Sequence, residues 1–231
     1  KPNKEKKEDK LNTENGNNIF YWDMMYPGAE KVKDMILWWA SLNGPMALPG
    51  NYKVSLQVGE TTKSQNFTIL KNPISETNLA DATAQFNFIN DINTKVTEIH
   101  KALKNVKKVR AQVTSLQKSI SDKLKHSELL DYTDSLLKEM KVIEETLYQT
   151  KSKSNQDPLN FPIRLNNKLA HLNSLTRIGS YAPTEQAINF KNEITEEIDN
   201  QLSKLYDLFN KKVKVLNQKV KDSQIDLIQL D

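Results

Sequence analysis

Between Leu79 and Tyr181 the only prolines are Pro158 and Pro162, both inside Asp157-Pro158-Leu159-Asn160-Phe161-Pro162. Proline has no amide hydrogen and disfavours helix in the residue before it. A helix must therefore stop near Lys151. Pro162 suits the first position of the next helix, where its missing N–H has no partner to lose. On both sides apolar residues recur every three or four positions. Ile89, Ile92, Val96, Ile99, Leu103, Val106, Val109, Val113, Leu116 and Ile120 form one series, and Leu129, Tyr132, Leu136, Met140, Ile143 and Leu147 form the next, after a break at His126-Ser127. Leu165, Leu169, Leu172 and Ile178 follow Pro162. Ile194, Ile198, Leu202, Leu205, Phe209, Val213, Leu216 and Val220 follow Pro183. Such stripes belong to amphipathic helices that are stable only when packed on one another. Ser75 or Thr77 is expected to cap the first helix, and Gly179 to end the third in a left-handed turn.

The expected first and last helices are each about 40–45 residues long, and the two between are about 23 and 17, so at 1.5 Å per residue the middle pair with its linker matches either long one. Residues 74–231 are thus expected to form an antiparallel helical bundle with coiled-coil-like seams, three-armed with its middle arm broken at Asp157–Pro162. A four-helix bundle, with the two middle helices folded back on each other, is the alternative. The basic stretch 95–125 complements the acidic stretches 128–145 and 185–200 in either arrangement.

Residues 1–17 are polar, of mixed charge and poor in apolar side chains, which predicts a disordered tail or surface loop. From Asn18 the pattern changes. Ile19 to Met25 and Met35 to Ala40 are apolar runs bounded by turns, and Tyr52, Val54, Leu56 and Val58 alternate with Lys53, Ser55 and Gln57. The segment from Thr61 to Leu70 follows the turn at Gly59-Glu60. Residues 18–73 therefore predict a small antiparallel β-module of immunoglobulin-like type with four candidate strands. A complete sandwich has about seven, so strands upstream of Lys1 are expected to be missing. The predicted class is α+β.

Lys+Arg 33 against Asp+Glu 29 is too even to imply a nucleic-acid partner. The basic run Lys101, Lys104, Lys107, Lys108 and Arg110 has no interleaved aromatics to stack bases and reads as a solvated helix face. No apolar run is long enough for a membrane span. With no cysteine, thiolate metal sites and cysteine nucleophiles are excluded. His100, His126 and His171 stand at no metal-ligand spacing, and no phosphate loop, nucleophile elbow or calcium loop occurs. No cofactor and no catalytic residue are expected. The aromatics gather before the helices. Trp38, Trp39 and Tyr26 are the candidate ligand-binding residues, as a carbohydrate platform, against the plainer reading that they fill the β-module's core and its contact with the bundle. Adjacent tryptophans in an extended chain would face opposite sides.

The segments NNIFYWDMMYPGAEK, GPMALPGNYKVSLQVGETTKSQNFTILKNP and YQTKSKSNQDPLNFPIRLNNKLAHLN carry a family resemblance. Over residues 18 to about 210 the chain resembles the C-terminal region of bacterial exported proteins of the sortilin-like, BNR-repeat, glycosyl-hydrolase-like β-propeller type. Asp157 to Ala170 is the most specific part. The resemblance implies an immunoglobulin-like module and helical tail following a propeller, an exported location, and the propeller or another protein as partner. It implies that hydrolase chemistry, if the parent has it, lies outside this chain. Met25 and Met46 depart from the family's arginines. The expected function is a non-catalytic accessory region acting as spacer and docking module. The alternatives are a carbohydrate-binding accessory module and a portion of a hydrolase whose catalytic residues lie elsewhere.

Overall fold

The structure, a computed structural model, describes residues 14–120, 122, 124–223 and 225. The expected polar tail up to Thr13 and the C-terminal tail beyond Ile225 lie outside the described residues. The chain is of mixed α+β class. Two strands, β1 (Gly50–Val58) and β2 (Thr61–Ile69), precede the helices α1 (Leu79–Ser119), α2 (Ser127–Leu147), α3 (Leu165–Thr176), α4 (Glu185–Asp207) and α5 (Val213–Asp222). A π-turn, Leu208–Lys212, joins α4 to α5.

Cross-helix contacts give the order of packing. Gln117 on the later half of α1 donates to Thr133 and Asp134 of α2 at 2.8 and 2.7 Å, and Arg110 pairs with the buried Glu144. On the earlier half, the Asn173 amide of α3 donates to Asn93 at 2.9 Å, and Gln85 donates to the Thr176 carbonyl at 2.7 Å. Numbers rising along α1 therefore meet numbers falling along α3 and then α2, so these two helices succeed each other along one side of α1. The α4–α5 arm runs the other way beside them. Lys191 pairs with Asp91 at 3.0 Å and Lys95 with Asp199 at 2.6 Å, while Lys219 pairs with Glu128 of α2. The stripes read from the sequence supply the core: Ile92, Val96, Ile99, Leu103, Leu136, Met140, Leu147, Leu169, Ile198, Leu202 and Leu205 are all fully buried. Each such side chain contributes about 1.5–3 kcal/mol over an exposed one. The π-turn adds a residue between α4 and α5. Leu208 is buried and Phe209 packs partly against the core, and the Tyr132 hydroxyl donates to the Lys212 carbonyl at 3.1 Å.

Local signals were read less accurately than stripes. The cap of α1 is Asn78, which accepts from the Asp81 N–H at 2.8 Å and donates to its carboxylate at 2.9 Å; Ser75 and Thr77 lie upstream of it. Helix α3 starts at Leu165 rather than Pro162, because Arg164 is still extended. At the break, Asp157–Leu159 makes a single 3-10 turn. The Asp157 carboxylate accepts from the N–H groups of Lys153 and Ser154 at 2.6 and 3.0 Å and from the Ser154 hydroxyl at 2.8 Å. These bonds, the Lys153 amide foremost, hold its pKa below the ordinary carboxylate value. Leu159 is 68% exposed and Phe161 only half-buried, so the turn is organised by a carboxylate and not by burial of its apolar residues.

The larger difference lies upstream. Of four expected strands two are present among the described residues. Ile19–Met25 is irregular apart from one bridge between Met25 and Met46, and Met35–Ala40 is irregular throughout. Residues 24–47 instead form a two-limbed strap. Its limbs bond to each other from Ala47 N to Met24 O (2.7 Å), Tyr26 N to Pro45 O (2.9 Å) and Ala29 N to Leu42 O (2.8 Å). The limbs run so close that a Cβ on Gly44 would lie 1.8 Å from the Tyr26 carbonyl oxygen, and one on Gly28 would lie 1.9 Å from that of Leu42. Ala29 enters the helical core, with Met35, Ala40 and Leu42 packed against it. The apolar run Met35–Ala40 thus faces helices, and side chains from the helical region take up backbone groups that a strand would offer a neighbour. The Thr97 hydroxyl accepts from Glu30 N–H at 3.0 Å, Tyr148 from Ile36 N–H at 3.3 Å, and the His100 Nδ1–H donates to the Glu30 carbonyl.

Two outcomes are expected. Leu202→Asp should cost about 3–5 kcal/mol by burying an unpaired carboxylate, seen as a large fall in the denaturation midpoint. His100 is fully buried, and burial holds its pKa below 6.5, against the opposing pull of the Glu30 carbonyl and with added disfavour from Lys104. Because the folded value lies below the unfolded one, stability is complete above about pH 6.5 and falls as pH drops through and below it. Melting between pH 7.5 and 5 should show this loss, and His100→Gln should flatten the profile.

Candidate functional site

The helices are amphipathic and their apolar faces meet; the hairpin is amphipathic and its apolar face meets little. Strands β1 and β2 pair antiparallel from Gly50 with Ile69 to Val58 with Thr61. Side chains alternate across a strand, so Tyr52, Val54, Leu56 and Val58 share one face with Thr61, Lys63, Gln65, Phe67 and Ile69, and the apolar run on it belongs to β1. The other face carries Asn51, Lys53, Ser55 and Gln57 with Thr62, Ser64, Asn66 and Thr68. The polar face is knitted by Ser55–Ser64 and Thr68–Asn51 bonds, each 2.8 Å. On the apolar face only the foot is covered. Trp22 lies 6.1 Å from Tyr52 and 6.4 Å from Phe67, ring to ring, and those two stack at 5.7 Å. Beyond them Val54, Leu56 and Val58 are 55, 50 and 69% exposed. The neighbouring Ile19, Phe20 and Tyr21 are exposed as well. The alternation predicts a strand with one buried face; the strand is present, but beyond Tyr52 that face is exposed, because alternation marks a face and not what lies against it.

The tryptophans named from the sequence are not in a β-core. Trp38 and Trp39 sit on the strap against α3, with ring centroids 5.7 Å apart, and Trp39 has a left-handed backbone (φ 52°), so the expected opposite facing of an extended pair does not arise. The Asn167 side chain brackets Trp38, accepting from its N–H at 2.6 Å and donating to its carbonyl at 2.9 Å. His171 Nδ1–H donates to the Trp39 carbonyl at 2.8 Å. The Trp39 side chain is exposed, Trp38 half-buried. Tyr26 lies apart from both, edge-on to Phe86 at 5.0 Å, so the three candidates do not converge on one site.

Sequence reading missed what the specific stretch after Pro162 does. Asn173 and Asn93 both donate to the Asn43 carbonyl, at 3.0 and 2.9 Å, and Arg177 donates to the carbonyls of Asn43 and Gly44 at 3.1 and 2.9 Å. Asn167, His171 and Asn173 of α3, with Arg177 at its C-cap, thus hold the strap's main chain. The signal was present as buried-register asparagines between the leucines of α3. In the basic run, Lys104 pairs with Glu30 and Arg110 with Glu144. Among the described residues no group of three or more acidic or histidine side chains is placed to hold a metal, and no helix is long and apolar enough to cross a membrane. No family model, no curated protein and no solved structure matches the chain.

Asn167→Ala would leave both Trp38 backbone groups without their partner. It should cost about 1–3 kcal/mol and shift tryptophan emission, with helix content retained at low temperature.

Proposed function

We propose that the chain is a non-catalytic docking and spacer region, in which the helices form a three-arm bundle with a broken middle arm and the hairpin is the docking element. The observation that carries this is the uncovered apolar face of β1–β2. An isolated two-stranded hairpin is at best marginally stable in water, and a sheet with one apolar and one polar face is built to pack that apolar face on another layer. The occupant we assign is a second antiparallel sheet from an adjoining module, completing an immunoglobulin-like sandwich. Strict alternation over seven residues of β1, Tyr52 to Val58, suits a sheet surface, whose side chains repeat with the same period, better than a helix. The resemblance of residues 18 to about 210 to the C-terminal region of exported sortilin-like, BNR-repeat propeller proteins supports the same arrangement. On this reading the propeller side of such a parent docks at the hairpin, and the bundle, about 60 Å long in α1, holds that joint at a fixed distance from whatever lies beyond.

Amide hydrogen exchange tests the reading. In the chain alone, β1 and β2 amides should exchange far faster than those of α1, and the pair Val54→Asp and Leu56→Asp should leave its melting temperature within about 0.5 kcal/mol equivalent, as exposed changes do. In the propeller-bearing parent the same amides should be slowed, and the two aspartates should remove that protection. A hairpin already protected in the isolated chain, or aspartates that destabilise it there, would overturn the docking role. Protection that instead rises with the concentration of the chain alone would assign the face to a second copy.

A further inference from the structure

At the foot of the hairpin the strap, the end of β2 and the first turns of α1 enclose a cavity of about 590 Å³. Its size falls in the range of small-molecule sites, about 300–1,000 Å³. Ala47, Leu48, Ile69, Ala82 and Phe86 line it. At its rim Met24, Met46, Leu70 and Leu79 are exposed, a cluster of large apolar side chains that water solvates poorly. Methionines suit a surface that must adapt to a flexible guest.

Of the six neutral polar side chains in the lining, those of Asn72, Ser75, Asn78 and Gln85 are already engaged. Asn72 accepts from the Ile74 N–H at 3.1 Å, Ser75 from the Thr77 N–H at 3.3 Å and Asn78 from the Asp81 N–H at 2.8 Å. The Gln85 amide donates to the carbonyls of Thr176, Gly179 and Tyr181. A guest rich in hydrogen-bonding groups would find few partners, so a sugar or nucleotide fits poorly. One formal charge lies among the described lining residues, the exposed Lys71, and no carboxylate opposes it. Hydrocarbon walls with a single ammonium at the edge complement an amphiphile that has an apolar chain and one negative head.

We propose that this cavity binds a medium-chain acyl carboxylate, its chain over Ala47, Ile69, Ala82 and Phe86 and its head at Lys71. The proposal is independent of the docking role assigned to the hairpin face, since it uses residues at the other end of the strands.

Titration calorimetry with dodecanoate below its micelle concentration, and with dodecanol, tests it. Saturable binding of both is expected. Lys71→Gln, an exposed change that leaves the fold alone, should weaken dodecanoate about two- to fivefold at low salt, the usual range for an exposed ion pair, and leave dodecanol unchanged. Ala82→Trp fills the cavity and should abolish binding of both, with circular dichroism checking that its helices persist. Absence of saturable dodecanoate binding overturns the proposal, as does unchanged binding in a folded Ala82→Trp variant. An equal response of the two ligands to Lys71→Gln overturns the anionic assignment. A dimer of the wild type that Ala82→Trp dissolves would put a second copy in the cavity and likewise overturn it.

Discussion

A chain laid irregularly over a helical core must still satisfy its backbone N–H and C=O groups, and the upstream part of this molecule depends on how that is done. The strap 24–47 has neither helix nor ladder to use. Three bonds run limb to limb, which requires the close approach that only Gly28 and Gly44 permit. Many others come from side chains of α1 and α3 and from the α3 backbone, where the Ala170 carbonyl accepts from Ser41 N–H at 3.2 Å. Asn43 offers one carbonyl to three donors, from Asn93, Asn173 and Arg177. Trp38 is bracketed through both of its backbone groups by a single side-chain amide. A side-chain amide carries a donor and an acceptor and so can stand in for a neighbouring strand's peptide group.

The break between α2 and α3 has its place in the same scheme. Helix α3 must turn its leucines to the bundle while its asparagines, histidine and arginine face the strap. The 3-10 turn at Asp157 and the extended Arg164 let α3 begin at a rotation of its own instead of inheriting that of α2. Asp157 makes this loop reproducible by gathering two amides and a hydroxyl, and the work is done without burying Leu159.

Helical stripes were legible because burial along a 3.6-residue period is a property of many residues at once, and a single misplaced one changes little. Ile92 through Val106 and Ile194 through Leu205 needed nothing beyond spacing. Strands in the first third were over-read, since a short apolar run such as Met35 to Ala40 serves a strand or a strap equally well and its period cannot separate them. Which residue caps α1 turned on one side-chain bond, from Asn78 instead of Ser75 or Thr77. The strap-binding role of Asn167 and Asn173 was hidden because their partners are main-chain groups some 130 residues away in sequence, and a carbonyl leaves no trace in residue type. The same applies to His100 and His171, which look idle by metal-ligand spacing yet each hold a strap carbonyl.

The molecule is therefore satisfied unevenly, and the unevenness is informative. Its buried acid Glu144 has Arg110, its strap carbonyls have amides, and its helix stripes have each other. Against that thoroughness, an apolar strand face left to water from Val54 to Val58 does not read as loose construction. Val54 and Leu56 could have been polar at little cost to the hairpin, as Ser55 and Gln57 on the opposite face demonstrate, and exposed edge strands are where soluble proteins most often place charge. On the docking role proposed above, a sheet surface is the cover whose spacing matches that alternation.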